Sequence, residues 1–125
     1  MRVTGGEFRG RPIEVPDHKG VRPTEDRVRQ ALFNIIGNEI IDAVVLDVFA
    51  GSGALGIEAL SRGARYAVFI ERDPRTRRYI QSNLDRMRVE PASYRIYTGD
   101  ALLLVSRMAS QIPLMDLIFM DPPYE

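Results

Sequence analysis

The 125-residue chain carries 17 basic and 17 acidic side chains, contains no cysteine and is 45% apolar. This length suits one domain with its own core, and the composition excludes a disordered or fibrous protein. Without cysteine, disulfides and cysteine-based zinc or redox sites are excluded too. No apolar run reaches the length of a membrane span, and the N-terminal residues have no apolar signal core, so we expect a cytoplasmic protein.

The charges are unevenly distributed along the chain. Residues 30–61 contain four acidic side chains and no basic one, whereas residues 62–95 contain nine basic and four acidic side chains. Basic segments of this kind can contact phosphate, although a solvated surface is the simpler alternative. Zero net charge argues weakly against tight non-specific binding to nucleic acid.

The first 23 residues are rich in Gly, Pro and Arg, and "TGGEFRGRPIEVP" predicts a short hairpin or irregular arm. The following segment, "RPTEDRVRQALFNIIG", predicts a helix with Thr24 as its N-cap and Gly37 as its C-cap. Its apolar residues recur at helical spacing and predict a buried face. That face consists of Val28, Ala31, Leu32, Ile35 and Ile36.

From residue 43 onward, strand and helix patterns alternate. The predicted strands are "AVVLDVF", "YAVFIE", "YRIYT" and "MDLIFMD". Helices are predicted between them over 54–62, after Asp73-Pro74 with Ile80, Leu84 and Met87 on one side, and over "DALLLVSRMA". This alternation predicts an α/β fold with a parallel sheet, right-handed crossovers and continuously buried strands.

The loop "GSGALG" at Gly51–Gly56 matches G-x-G-x-x-G between a predicted strand and a predicted helix. Glu71 ends the next strand 20 residues after Gly51, in the position of a carboxylate that binds ribose hydroxyls. A nicotinamide dehydrogenase fits this pattern. If the loop is considered alone, a glycine turn that only packs a helix against a strand explains it equally well.

Asp47, four residues before Gly51, favours a different ligand. A carboxylate would repel a pyrophosphate, whereas S-adenosylmethionine (AdoMet) carries an ammonium and a sulfonium group and no phosphate. A carboxylate that only braces the loop is the structural alternative. In "GDA", Asp100 can accept a hydrogen bond from an adenine amine and the backbone of Ala101 can donate one, although Asp100 fits a helix N-cap equally well.

"DPPY" at the end of the chain predicts a site for methyl transfer to a nucleobase amine. Such an amine is a poor nucleophile because its lone pair is delocalised into the ring. Hydrogen bonds from both of its N–H groups, to the Asp121 carboxylate and the Pro122 carbonyl, favour a pyramidal nitrogen. Pro123 stiffens the loop, and Tyr124 can stack on an extruded base. A strand-ending turn is the alternative interpretation.

Together these motifs resemble class I AdoMet-dependent methyltransferases with an [Asn/Asp]-Pro-Pro-aromatic motif. More closely, the chain resembles the bacterial 16S ribosomal RNA guanine-N2 methyltransferase family (RsmD-like). The matching stretches are "GGEFRGR", "RPTEDRVRQALFNII", "LDVFAGSGALGIEALSRGA" and "DPPY". The first two are not typical of DNA adenine methyltransferases, but "DPPY" alone does not separate guanine N2 from adenine N6.

The resemblance implies a Rossmann-like sheet, AdoMet as cofactor, no metal, and 16S ribosomal RNA or the assembling small subunit as partner. It divides the chain into an RNA-facing arm, 1–23, and a methyltransferase domain, 24–125. The implied cofactor residues are Asp47, Ala50, Gly51, Ser52, Gly53, Glu71, Asp100 and Ala101. The implied catalytic residues are Asp121, Pro122, Pro123 and Tyr124, and the implied RNA contacts are Arg9, Arg11, Arg22, Thr24 and Arg27.

Family members have a seven-stranded sheet in the order 3-2-1-4-5-7-6, of which this chain supplies the first four strands. We therefore expect an N-terminal fragment that binds AdoMet weakly, transfers little methyl and self-associates through its exposed fourth strand. A DNA adenine-N6 methyltransferase and a non-catalytic AdoMet- or RNA-binding module remain alternatives. His18 is given no role.

Overall fold

The computed structural model describes residues 1–16 and 23–122, and the side chains of 23 and 24 are outside the described part. The helices are α1 (Pro23–Ile36), α2 (Ala54–Ser61), α3 (Pro74–Arg86) and α4 (Ala101–Arg107). The strands are β1 (Val44–Asp47), β2 (Tyr66–Glu71), β3 (Tyr94–Thr98) and β4 (Leu117–Phe119). Short 3-10 helices follow α1 at Gly37–Ile40, precede β3 at Pro91–Ser93 and precede β4 at Ile112–Leu114.

The four strands form one parallel sheet in the order β3-β2-β1-β4. In the centre of the sheet, Val45 of β1 is in register with Ala67 on one side and Leu117 on the other. The predicted α/β fold and its strand–helix alternation are confirmed. The order also agrees with the first four strands that the resemblance implied.

The two central strands carry the core. Phe69 on β2 is fully buried with Ile57, Ile80 and Leu84 from α2 and α3 on one face of the sheet. On the other face, Leu46 belongs to a second apolar cluster that α4 helps to cover. This two-sided burial explains why β1 and β2 are apolar in nearly every position.

The predicted buried face of α1 is partly wrong. Val28 and Ile35 are 63% and 84% exposed, and Ala31 is also exposed, whereas Phe33 is 1% and Arg29 only 4% exposed. Helical spacing identified Leu32 and Ile36, which do pack against the core. The orientation differs because α1 places Phe33 on Phe119, with 5.6 Å between ring centroids, and Arg29 on Glu58.

Continuous burial was predicted for all four strands, and the two edge strands do not show it: β3 contains no buried residue and β4 contains one. Phe119 is buried, but Ile118 is 42% exposed and Met120, just after the strand, is 64% exposed. In the described sheet β4 is an edge strand that pairs with β1 alone. One side of β4 therefore remains open to solvent.

Element ends agree with prediction to within a few residues. Asp73 is the N-cap of α3, where its side chain accepts from the N–H of Arg75 at 3.1 Å. The first crossover helix ends at Ser61 with Arg62 as its C-cap, one residue earlier than predicted. α1 ends at Ile36, and Gly37 directly after it has φ +59°, the left-handed conformation of a glycine that ends a helix, as predicted. A short 3-10 helix follows from Gly37.

The N-terminal arm forms a small hairpin, as predicted. Arg2 and Pro12 form an antiparallel bridge, and the N–H groups of Val3 and Ile13 donate to the carbonyls of Arg11 and Met1. Val3 and Ile13 are buried in the same core as α2 and α3. The arm is therefore packed onto the sheet domain. In the described ranges, no helix is long and apolar enough to span a membrane.

Candidate functional site

The carboxyl ends of the strands open into a cleft of about 820 Å³. Parallel strands place the loops that follow them at a common edge of the sheet, and ligands of such folds bind there. Eight of the residues implied by the resemblance line this cleft. They are Ala50, Gly51, Ser52, Glu71, Asp100, Ala101, Asp121 and Pro122.

The glycine loop takes a conformation that needs glycine. Gly51 has φ +57° and Gly53 has φ +88°, in the left-handed region that other residues rarely adopt. Gly53 is the N-cap of α2, and its N–H donates to the Ala50 carbonyl at 2.8 Å. At Gly56, a Cβ would lie 2.3 Å from a ring carbon of Phe69, so this glycine lets α2 approach β2 closely.

Glu71 orients the cleft wall at the end of β2. Its two carboxylate oxygens accept from the backbone N–H groups of Gly51 at 2.9 Å and Asp73 at 2.8 Å. One carboxylate thus links the glycine loop to the start of α3. Because each oxygen has two lone pairs, acceptor capacity remains for a ligand hydroxyl.

Asp100 has the helix-capping role that the sequence left open. Its Oδ1 accepts from the N–H of Leu103 at 2.9 Å at the start of α4. The residue is nevertheless exposed and lines the cleft beside Ala101. The N-cap hydrogen bond engages one carboxylate oxygen of Asp100, and the other oxygen remains available to a ligand at the cleft wall.

Asp47 lies beneath the cleft, not in its lining. Its side chain is only 1% exposed, and its Oδ2 accepts from the N–H of Gly56 at 3.1 Å. Burial raises the pKa of Asp47 to about 7, against the opposing effect of the Gly56 hydrogen bond, and the negative charges of Asp121 and Glu71 add to the rise. This carboxylate braces the loop and also takes part in the electrostatics of the cleft.

Asp121 follows β4 and faces the cleft from the side opposite Asp100. The residue is exposed, and it also lines an adjoining apolar groove of about 480 Å³. Val28, Leu32 and Met120 contribute apolar side chains to that groove. Pro122 lines the cleft, while the predicted Pro123 and Tyr124 lie outside the described residues.

Three of the five predicted RNA-contacting residues have side chains within the described part of the chain. Arg9, Arg11 and Arg27 are exposed, whereas Arg22 and the side chain of Thr24 lie outside the described part. Arg11 donates to the backbone carbonyl of Arg86, at the C-terminal end of α3, at 2.8 Å. The cleft is at the N-terminal end of that helix, roughly 20 Å away for 13 residues.

Sequence reasoning missed two polar groups that fix the site. Asn83, fully buried on α3, bonds to the arm and to the glycine loop. Glu58, fully buried on α2, is paired with Arg29 and Arg62 at 2.9 Å and 2.8 Å. The spacing of Glu58 and Arg62 is local, but the other partners, Arg29 for Glu58 and Glu14 and Ser52 for Asn83, are distant in sequence, so no local signal predicts the burial of these residues.

Comparison with known proteins agrees with this geometry. The chain is 42% identical over 124 residues to "Ribosomal RNA small subunit methyltransferase D" of Escherichia coli, covering 99% of the chain and 60% of that protein. The solved structure "Putative methyltransferase yhhF from Escherichia coli" superposes with a TM-score of 0.83 at 37% identity, over 100% of this chain and 65% of that one. A more distant structure, "SMU.776, a putative methyltransferase complexed with SAH", shares the fold at 21% identity and a TM-score of 0.67, over 79% of this chain and 25% of that one.

The chain thus spans about 60% of the length of its E. coli relative. A family match extends over residues 1–125, to the family described as "Conserved hypothetical protein 95". The predicted resemblance is confirmed: the chain belongs to this family, whose relatives include ribosomal RNA small subunit methyltransferase D.

Proposed function

We propose that this chain is the AdoMet-binding and base-presenting part of an enzyme that methylates the exocyclic N2 amine of a guanine in 16S ribosomal RNA. The observation that carries the proposal is the single cleft in which Gly51, Glu71 and Asp100 meet Asp121 and Pro122. The E. coli relative named for ribosomal RNA methylation supports the RNA substrate.

The residues of the cleft fit AdoMet. The glycine loop offers backbone at close range without side chains, and Glu71 offers carboxylate oxygens already oriented by the N–H groups of Gly51 and Asp73. Asp47 and Glu71 make this end of the cleft acidic, which suits a ligand with cationic groups and no phosphate. When bound, AdoMet supplies an electrophilic methyl group.

Asp121 and Pro122 are placed to prepare the acceptor amine. A carboxylate oxygen and a backbone carbonyl can each accept one N–H of an exocyclic amine, and this orients the nitrogen lone pair. Asp121 borders both the cleft and the adjoining apolar groove. A base seated in the groove would therefore have its amine beside the cleft, and positioning of this kind accounts for a large part of catalysis.

The test uses the full-length protein with methyl-labelled AdoMet. Under-methylated 16S ribosomal RNA, small-subunit particles and duplex DNA are offered side by side. We expect label in RNA or particles and little in DNA. Predominant label in adenine of DNA would favour an adenine-N6 methyltransferase.

The role of Asp121 is tested with the variant Asp121→Ala, which is compared with the parent protein in the same assay. We expect it to lose methyl transfer by at least about 100-fold while it keeps AdoMet affinity, because the residue contacts the acceptor and not the cofactor. Equal turnover of the variant and the parent protein would contradict the role of Asp121. Absence of transfer by the parent protein, together with intact AdoMet and RNA binding, would favour a non-catalytic module.

A further inference from the structure

Four arginines form a row along one side of α3 that begins at the cleft. Arg72 lines the cleft just before the helix, and Arg75, Arg78 and Arg86 are exposed along it. Arg75 and Arg86 are 11 residues apart, which is about three helical turns, so they lie on the same side. The stretch between them is roughly 16 Å long. We call Arg72, Arg75, Arg78 and Arg86 the α3 arginine row.

Most of this positive charge is not neutralised within the described part of the chain. Arg86 pairs with Glu14 at 2.9 Å, but no ion pair of the described residues involves Arg72, Arg75 or Arg78. The nearest acids in sequence, Glu71 and Asp73, accept hydrogen bonds from backbone N–H groups and from the hydroxyl of Thr76, and among the described residues not from the guanidinium groups of these arginines.

The acidic residue within α3 also has a hydrogen-bond partner on the helix. Asp85 accepts from the side-chain amide of Gln81 at 2.9 Å. Residues 71–86 carry five arginines and three carboxylates, a net charge of +2, so α3 and the residues just before it keep an excess of positive charge.

This arrangement is unfavourable for the helix itself. The N-cap Asp73 offsets the partial positive charge of the helix N-terminus, but the first turn itself contains Arg75 and no acidic residue. Arg75 and Arg78, three residues apart, also repel each other. A sequence that places unpaired arginines at a helix N-terminus gains nothing in folding from them, which favours a role in binding an anion.

We propose that the α3 arginine row is a phosphate-binding track for RNA that leads from the N-terminal arm to the cleft. The track joins two elements already in contact, because the Arg11 guanidinium donates to the Arg86 carbonyl at 2.8 Å. At its other end, Arg72 borders the cleft together with Glu71. RNA phosphates that follow the row would bring a nearby nucleotide to the cleft.

The chemistry of the row fits RNA better than an acidic protein surface. Guanidinium groups bind phosphate oxygens in a bidentate manner. Several arginines along one side of a helix can also contact successive phosphates of a regularly charged backbone. The inference rests on the proposed function for its RNA partner, but its residues differ from those proposed for the cofactor and the acceptor amine.

The test measures RNA affinity against salt concentration for the full-length protein, with in vitro transcribed 16S ribosomal RNA as the probe. The test variant is Arg75→Gln with Arg78→Gln. The matched control is Arg65→Gln with Arg107→Gln, which removes the same charge from exposed positions on other elements. AdoMet affinity is measured for both variants.

We expect the Arg75/Arg78 variant to bind RNA several-fold more weakly at moderate salt and to lose about 1.4–1.8 units from the log–log salt slope, for two phosphate contacts. The control variant should change the slope little, and AdoMet affinity should be unchanged in both. An unchanged slope in the test variant, or an equal loss in the control, would overturn the track. Competition by poly-glutamate as strong as by RNA, at equal charge concentration, would show a general anion surface and would also overturn it.

The outcome is separable from the proposed function. RNA binding that depends on Arg75 and Arg78 without any methyl transfer would support the track and contradict the enzyme. If both variants methylated RNA and bound it as tightly as the parent protein does, the result would support the enzyme and contradict the track.

Discussion

The side-chain amide of Asn83 donates a hydrogen bond to the backbone carbonyl of Ser52 at 3.1 Å, across 31 residues of sequence. The same amide exchanges two hydrogen bonds with the backbone of Glu14, at 2.9 Å and 3.0 Å. Asn83 is fully buried. One side chain on α3 thus holds the end of the N-terminal arm and the glycine loop in a fixed relation.

We predict that Asn83→Ala lowers the free energy of unfolding by about 2–4 kcal/mol, because it leaves the buried Ser52 carbonyl and the partly buried N–H and carbonyl of Glu14 without this partner. Denaturant unfolding measures this. Asn83→Asp should be similarly harmful, since a carboxylate cannot donate to the Ser52 carbonyl. Gln81→Ala, on the same helix and only half-buried, is the control, and a loss as large as that of Asn83→Ala would contradict the argument.

The arm is held at its other end by Glu58, and this contact should depend on pH. Burial raises the pKa of Glu58, but hydrogen bonds from Arg29, Arg62 and the N–H of Thr4 outweigh it and hold that pKa below its usual value. A lowered folded-state pKa contributes stability above the unfolded value of 4.5, and this is lost as pH falls through the folded value. We predict that Glu58→Gln is destabilised near neutral pH and that its difference from the parent protein shrinks below pH ~4.5. A difference independent of pH would contradict this account.

The contact between Gly56 and the ring of Phe69 gives a packing prediction. Adding a methyl group in Gly56→Ala places it 2.3 Å from a Phe69 ring carbon, in a core without spare volume. We expect a loss of about 1–3 kcal/mol in the free energy of unfolding. The double variant with Phe69→Leu should recover part of that loss, and strictly additive effects in the double-mutant cycle would count against a direct clash.

The pKa of Asp47, raised to about 7 by its burial, predicts that binding of a cationic ligand depends on pH. A ligand with a positive charge favours the ionised carboxylate, so AdoMet affinity should fall as pH decreases from 7, by up to tenfold per unit. Asp47→Asn should remove this dependence, and Asp47→Ala should weaken AdoMet binding more than Arg9→Ala does. Calorimetry at pH 6, 7 and 8 on the parent protein and the three variants measures these affinities. A pH-independent affinity of the parent protein would contradict an electrostatic role for Asp47.

Ionisation of the same carboxylate should have the opposite effect on folding: it favours AdoMet binding but lowers the free energy of unfolding. A carboxylate whose folded pKa is raised above its ordinary value of 3.8 costs stability once pH exceeds that value, and the cost grows until about pH 7. Asp47→Asn should therefore gain stability relative to the parent protein between pH 4 and pH 7. Thermal unfolding across this range measures the gain.

The exposed face of β4 predicts self-association of the 125-residue chain. β4 is an edge of the four-stranded sheet, and Ile118 and Met120 are exposed beside Asp121. Apolar edges without a blocking charge pair with other chains. We expect light scattering to show oligomers that Ile118→Lys disperses. Arg95→Lys on β3, at the opposite edge, keeps the charge and is the control; a monomeric parent chain would contradict the prediction.

The sequence alone determined the elements whose signals are local. Strand, glycine loop and helix are adjacent in "VVLDVFAGSGALGIEAL", and Asp73-Pro74 marks the start of α3 by capping chemistry that needs only neighbouring residues. Parallel strands then place Gly51, Glu71 and Asp100 at one edge of the sheet. The cleft could be predicted because each of its walls is a strand end.

Only the tertiary structure decided which way the helices face and what the buried polar groups contact. Periodicity indicated an apolar side of α1, but Arg29 turns inward because Glu58, 29 residues later, offers a buried carboxylate, and Val28 turns outward. In the same way, the N–H of Gly56 holds Asp47 beneath the cleft, and Asn83 reaches Glu14 across 69 residues. These contacts depend on distances between remote segments, which no local pattern in the sequence encodes.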